Sequence, residues 1–128
     1  MATFLEHKQK WLDLRLRLQE QFGKRPNMEA ILFLIGVQEL GKPQSVFSKE
    51  QKVDLMHVAV CTLLVPDGYY QKAEADPEGW PAFRELKPIP AMDLKDQEFF
   101  LQQRIIRYFE HQGFGTPMDG SDRLLDRL

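Results

Sequence analysis

"WLDLRLRLQ", Trp11 to Gln19, sets leucine at every second position: Leu12, Leu14, Leu16 and Leu18. Period two marks a half-buried strand. The surroundings predict a helix instead. From Ala2 to Phe22 there is no Gly or Pro, and Leu, Arg, Gln, Glu and Lys dominate, all good helix formers. "TFLE" offers a capping box, with Thr3 as N-cap and Glu6 three residues on. Glu6 with Lys10 and Asp13 with Arg17 are acid-before-base pairs in the order a helix favours. A strand of this length is unusual, since strands mostly run about 3–10 residues.

At about 100° per residue the leucines separate into two stripes. Phe4, Trp11, Leu14, Leu18 and Phe22 form one; Leu5, Leu12 and Leu16 form a second, about a third of a turn away. Lys8 and Arg15 lie on the ridge between them. The economical explanation is a helix packed against two neighbours in its own bundle. The sharper one is that the second stripe meets another chain.

Working outward, "GKRPN" ends this helix, and Asn27 caps a second that runs to Leu40 before Gly41. The second helix is apolar nearly all round from Ala30 to Val37, which places it centrally. Gly36 inside it suggests a close helix crossing. "SKEQ", Ser48 to Gln51, is a capping box that opens a third helix ending near Leu64. Asp93 caps a fourth, running to His111. Its main stripe is Leu94, Leu101, Ile105 and Tyr108, with Phe99 and Ile106 on a different face.

Between the third and fourth helices, "DPEG" at Asp76 to Gly79 has type I turn chemistry. Folding about it pairs Tyr69–Ala75 with Trp80–Leu86. One face carries Tyr69, Ala73, Ala75, Trp80, Ala82 and Leu86; the other carries Tyr70, Lys72, Glu74, Phe83 and Glu85. Pro81 then needs a place without a ladder N–H. The expected fold is mainly α: a four-helix, bundle-like single domain over residues 1–112, with a short β-hairpin or ordered loop between helices three and four. Residues 113–128 read as a flexible tail in which Ser121 caps a short turn carrying Leu124, Leu125 and Leu128.

Composition narrows the function classes. The 128 residues suit one core, and 43% hydrophobic with 28% charged residues is an ordinary globular balance. A net charge of −2 argues against a dedicated nucleic-acid binder. Lys8, Lys10, Arg15, Arg17, Lys24 and Arg25 read better as a solvated face, since two of them have acidic partners four residues before. "AILFLIGV" and "VAVCTLLV" fall far short of the roughly 20 residues a membrane span needs. "MATFLEHKQK" lacks the basic and apolar succession of a signal peptide, and a lone cysteine fits the cytoplasm.

Chemistry is sparse. Asp54, His57 and Cys61 share a face of the third helix and form a weak metal half-site or activated thiol, but a cysteine within "VAVCTLLV" behaves as a small hydrophobe. His7 and His111 read as surface or boundary histidines. Glu29 and Glu39 flank the apolar second helix and are expected to face solvent. No phosphate-cradling loop or nucleophile elbow is present. No catalytic residue and no cofactor is therefore expected. The aromatic cluster Tyr69, Tyr70, Trp80 and Phe83 reads as a cap on the core, with a binding rim as the functional alternative.

"FLIGVQELG", "DLMHVAVCTLL" and "GWPAFRELKPIP" together resemble small bacterial proteins of a Bacteroidetes-type family with no assigned activity. The resemblance covers roughly residues 4 to 110. It implies a cytoplasmic helical domain and transfers no catalytic residue.

Two functional expectations follow. The preferred one is a non-enzymatic interaction protein, homodimeric through the second stripes of helices one and four, with Leu5, Leu12, Leu16, Phe99 and Ile106 as contacts and Tyr70, Trp80 and Phe83 as a rim. The competing one is a small-ligand or enzymatic pocket between the helices and the aromatic segment 69–86.

Overall fold

The computed structural model describes residues 4–42 and 46–112. Among these, α1 spans Phe4–Phe22, α2 Met28–Leu40, α3 Lys49–Leu64 and α4 Leu94–His111. Strands β1 (Tyr70–Ala73) and β2 (Ala82–Glu85) form an antiparallel hairpin between α3 and α4. The chain is mainly helical, as the periodicity requires. The Thr3 cap and the terminal segment 113–128 lie outside the described residues.

Local chemistry sets the helix ends. Asn27 Oδ1 accepts the Ala30 N–H at 2.9 Å and starts α2. At α3, Ser48 Oγ accepts the Gln51 N–H at 3.1 Å, and Gln51 Oε1 accepts the Ser48 N–H at 2.9 Å. Asp93 Oδ1 accepts the Asp96 N–H at 2.8 Å and starts α4. Each cap satisfies an amide with no partner inside its helix, which stabilises by about 1 kcal/mol.

The hairpin closes as the turn chemistry demands. The Gly79 N–H donates to the Asp76 carbonyl at 2.8 Å, and Asp76 Oδ1 accepts the N–H groups of Glu78 and Trp80. Gly79 sits at φ +86°, where a side chain would be strained. Tyr70 pairs with Glu85, Gln71 with Arg84, Lys72 with Phe83 and Ala73 with Ala82. Both strands are shorter than the expected pairing, and Pro81 falls just before β2, where no ladder N–H is needed. Lys42 at the end of α2 donates to the Glu78 carbonyl and ties the hairpin tip to the helices.

The core joins all four helices. Leu14 and Leu18 of α1 meet Ile31, Leu32 and Ile35 of α2, Ala59 and Leu63 of α3, and Ile105, Ile106 and Phe109 of α4. At the α2–α3 crossing, a Cβ added to Gly36 would overlap the Leu55 carbonyl oxygen and lie 2.7 Å from its carbonyl carbon. The glycine is what lets these helices touch backbone to backbone.

Three expectations change. α4 does not have two separate apolar faces. Phe109 lies between its two stripes on the helical wheel and is buried, so Ile105, Phe109 and Ile106 form one wide buried arc. His7 is not a surface residue; it is 6% exposed, with Nε2 2.9 Å from Gln102 Oε1 and its ring 4.4 Å from Phe99. Glu39 is half-buried and accepts the Tyr108 O–H at 2.8 Å. In each case α4 supplies the partner, from a part of the chain that local periodicity does not reach.

Candidate functional site

α1 is anchored on one side only. Leu14 and Leu18 are buried and Trp11 is half-buried, while the opposite strip stays open: Leu5 is 75% exposed, Leu12 37% and Leu16 36%. Leu5 is the most open of the three, while Leu12 and Leu16 keep a little over a third of their surface exposed. These residues follow one another at spacings of seven and four, with Gln9 filling the gap between Leu5 and Leu12. On the wheel, Lys8 and Arg15 border the strip on one side; Glu6, Asp13 and Glu20 border it on the other. Arg15 gives its Nε–H to the Pro26 carbonyl at 2.9 Å, and Lys8 Nζ rests 4.8 Å from the Phe4 ring centre. Asp13 accepts from the Gln9 amide at 2.8 Å.

Beside the acidic border runs a cleft of about 450 Å³ between α1 and α4. Leu14, Leu16, Ile106 and Phe109 line its floor, and Asp13, Glu20, Lys10, Arg17 and Glu110 its rim. Lys10 reaches Glu110 across it at 3.8 Å, both about half exposed. An exposed pair of this kind contributes little to stability. The expected α4 contacts are sheltered from within the chain: Ile106 is buried, and Phe99 is half-buried against Phe4 (6.2 Å between rings) and His7.

The aromatic segment is divided between two jobs. Tyr70 reaches the Cys61 thiol on α3, whereas Tyr69 packs edge-on to Phe100 of α4 at 6.2 Å. Phe83 borders a cleft of about 270 Å³ with Lys72, Thr62, Arg104, Arg107 and Tyr108. Neither Tyr69 nor Trp80 lines it; Trp80 is half-buried beyond the turn. The two arginines at this cleft are held by Asp67, through Arg104 Nε at 3.0 Å and Arg107 Nη2 at 3.0 Å. Arg107 also donates to the Leu63 carbonyl at 2.8 Å, near the C-terminal end of α3. Hydrogen bonds from Arg107 are the main reason that the Asp67 carboxyl lies below its ordinary range.

The α3 triplet does not assemble a reactive centre. Cys61 Sγ lies 3.5 Å from His57 Nε2, but burial pushes the thiol up to about 11. It is a neutral thiol at physiological pH, not a nucleophile. Asp54 and His57 are exposed, and among the described residues no three His, Cys, Asp or Glu side chains could hold a metal ion. Glu29 is exposed in the first turn of α2.

Sequence reasoning missed the Asp67 clamp. Its only trace was Arg104 and Arg107 three apart on one helix face, with their acid nearly forty residues away. It also read the charges of α1 as an undivided solvated face, although acids and bases each recur there at intervals of seven: Glu6, Asp13 and Glu20 against Lys8 and Arg15. No helix among the described residues is long and apolar enough to cross a membrane. No family model, curated protein or solved structure matches the chain.

Proposed function

We propose that this is a non-enzymatic interaction protein that pairs with a second copy of itself through the outer strip of α1. One observation carries the reading: Leu5, Leu12 and Leu16 stay open to solvent on a helix that is anchored in the core through Leu14 and Leu18 on its other side. Contiguous apolar side chains rimmed by charge are the usual composition of a protein contact surface. The pairing surface is narrower than the periodicity suggested, because α4 spends Phe99 and Ile106 on α1 of the same chain. A cytoplasmic setting goes with this reading, since the single cysteine is a buried thiol suited to a reducing compartment.

Sedimentation velocity on the full chain tests it. The expected result is a concentration-dependent dimer, which Leu12→Glu converts to a monomer with an unchanged far-ultraviolet spectrum. A wild-type protein that stays strictly monomeric at high concentration overturns the proposal.

A further inference from the structure

The charges beside the strip also specify which way round the second copy lies. Leu5, Gln9, Leu12 and Leu16 are spaced four, three and four apart, the seam of a two-stranded coiled coil with Leu5 and Leu12 at d and Gln9 and Leu16 at a. Lys8 and Arg15 then occupy g positions, and Glu6, Asp13 and Glu20 occupy e positions. The five flanking charges thus segregate by side. Among these five, both g residues are basic and all three e residues are acidic, while Phe22 at the next g position is apolar.

A two-fold axis treats such a helix differently in its two orientations. With the helices antiparallel, each flank faces its own copy, so base meets base and acid meets acid. With the helices parallel, each g residue faces the e residue five positions further along the other copy. Lys8 then meets Asp13 of the second copy and Arg15 meets its Glu20. By symmetry each pair occurs twice, and no like-charge contact is made along the seam. Asp13 and Glu20 also stand on the rim of the α1–α4 cleft, where Glu110 adds a third acid beside Lys10 and Arg17.

We infer that the occupant of the α1 strip is a second copy of this chain in parallel, in-register orientation, held by Lys8–Asp13 and Arg15–Glu20 pairs between copies. The arrangement rests on the self-pairing proposed above and adds its orientation. Gln9 fits it: a polar residue at a single a position favours in-register pairing with its own copy over slipped alternatives.

Disulfide trapping distinguishes the orientations. Leu5→Cys and Leu16→Cys lie about 16 Å apart along the helix, from eleven residues at the α-helical rise. In the parallel dimer each variant links to itself under mild oxidation. In an antiparallel dimer the two link to each other when mixed, and at most one links to itself. Charge exchange gives an independent readout. The double variant Lys8→Glu, Arg15→Glu should self-associate at least about tenfold more weakly, since four attractions become repulsions. Mixing it with the double variant Asp13→Lys, Glu20→Lys should restore all four attractions and give a heterodimer preferred over the homodimer of either variant. Cys61 is the control thiol, buried and protonated. Self-linking at both positions supports the inference. A dimer that forms without self-linking at both positions overturns the orientation alone. A strict monomer overturns the pairing itself and leaves the strip to the segment 113–128 or to a foreign protein.

Discussion

Gly36 is the residue on which the centre of the fold turns. α2 is apolar nearly all round, so its sequence alone does not say which neighbour it approaches most closely. The missing side chain at Gly36 does, because the Leu55 carbonyl fills the space a Cβ would need. Gly36→Ala gains helix propensity, about 1 kcal/mol. It must also push α3 away, and overpacking of a close crossing costs about 1–3 kcal/mol. The variant should therefore unfold at lower denaturant than wild type despite the better helix former. An unchanged or higher urea midpoint would show that α2 and α3 do not meet there. Gly36 was legible as an oddity in "FLIGVQELG"; its partner Leu55 was not, since nothing local links the two.

The elements themselves were set by short-range chemistry. Ser48 with Gln51, Asn27 and Asp93 start helices where their side chains say they should, and Asp76 to Gly79 turns the hairpin. α1 is the element with two apolar stripes, and its leucines should respond differently to truncation. Leu18→Ala leaves a hole in a site with no solvent access, at a cost of about 2–5 kcal/mol. Leu12→Ala removes a methyl-rich side chain from an open strip, and in the isolated protomer should cost under about 0.5 kcal/mol. Chemical denaturation of both variants at low protein concentration measures the contrast. Equal losses would mean that the strip is covered within one chain.

At the scale of the whole molecule, the Asp67 clamp joins the end of α3 to the middle of α4 across the hairpin connection. Its carboxyl lies below the ordinary 3.8, held there chiefly by Arg107. The folded state thus binds this proton less readily than the unfolded chain. The clamp's contribution is complete above the unfolded value and is lost as pH falls through the folded one. Asp67→Asn should cost about 1–2 kcal/mol at pH 7, a charge-assisted bond discounted for partial exposure. The difference from wild type should shrink steadily below pH 4. Urea titrations of the two proteins across this range give the measurement; a constant gap down to pH 2 would remove the carboxylate from the account.

The chain's local chemistry determined where helices begin, that the segment after α3 folds back, and that α1 carries apolar side chains on two sides. Those properties depend on neighbours within a few positions, through caps, turns and the 3.6-residue period. Only the tertiary structure decided which side of α1 is buried, that Phe109 merges the stripes of α4 into one face, and that His7, Glu39 and Asp67 find partners on that helix. Periodicity reports that a face is apolar but not what meets it. That choice is made by the packing of distant elements, and here it leaves Leu5, Leu12 and Leu16 exposed.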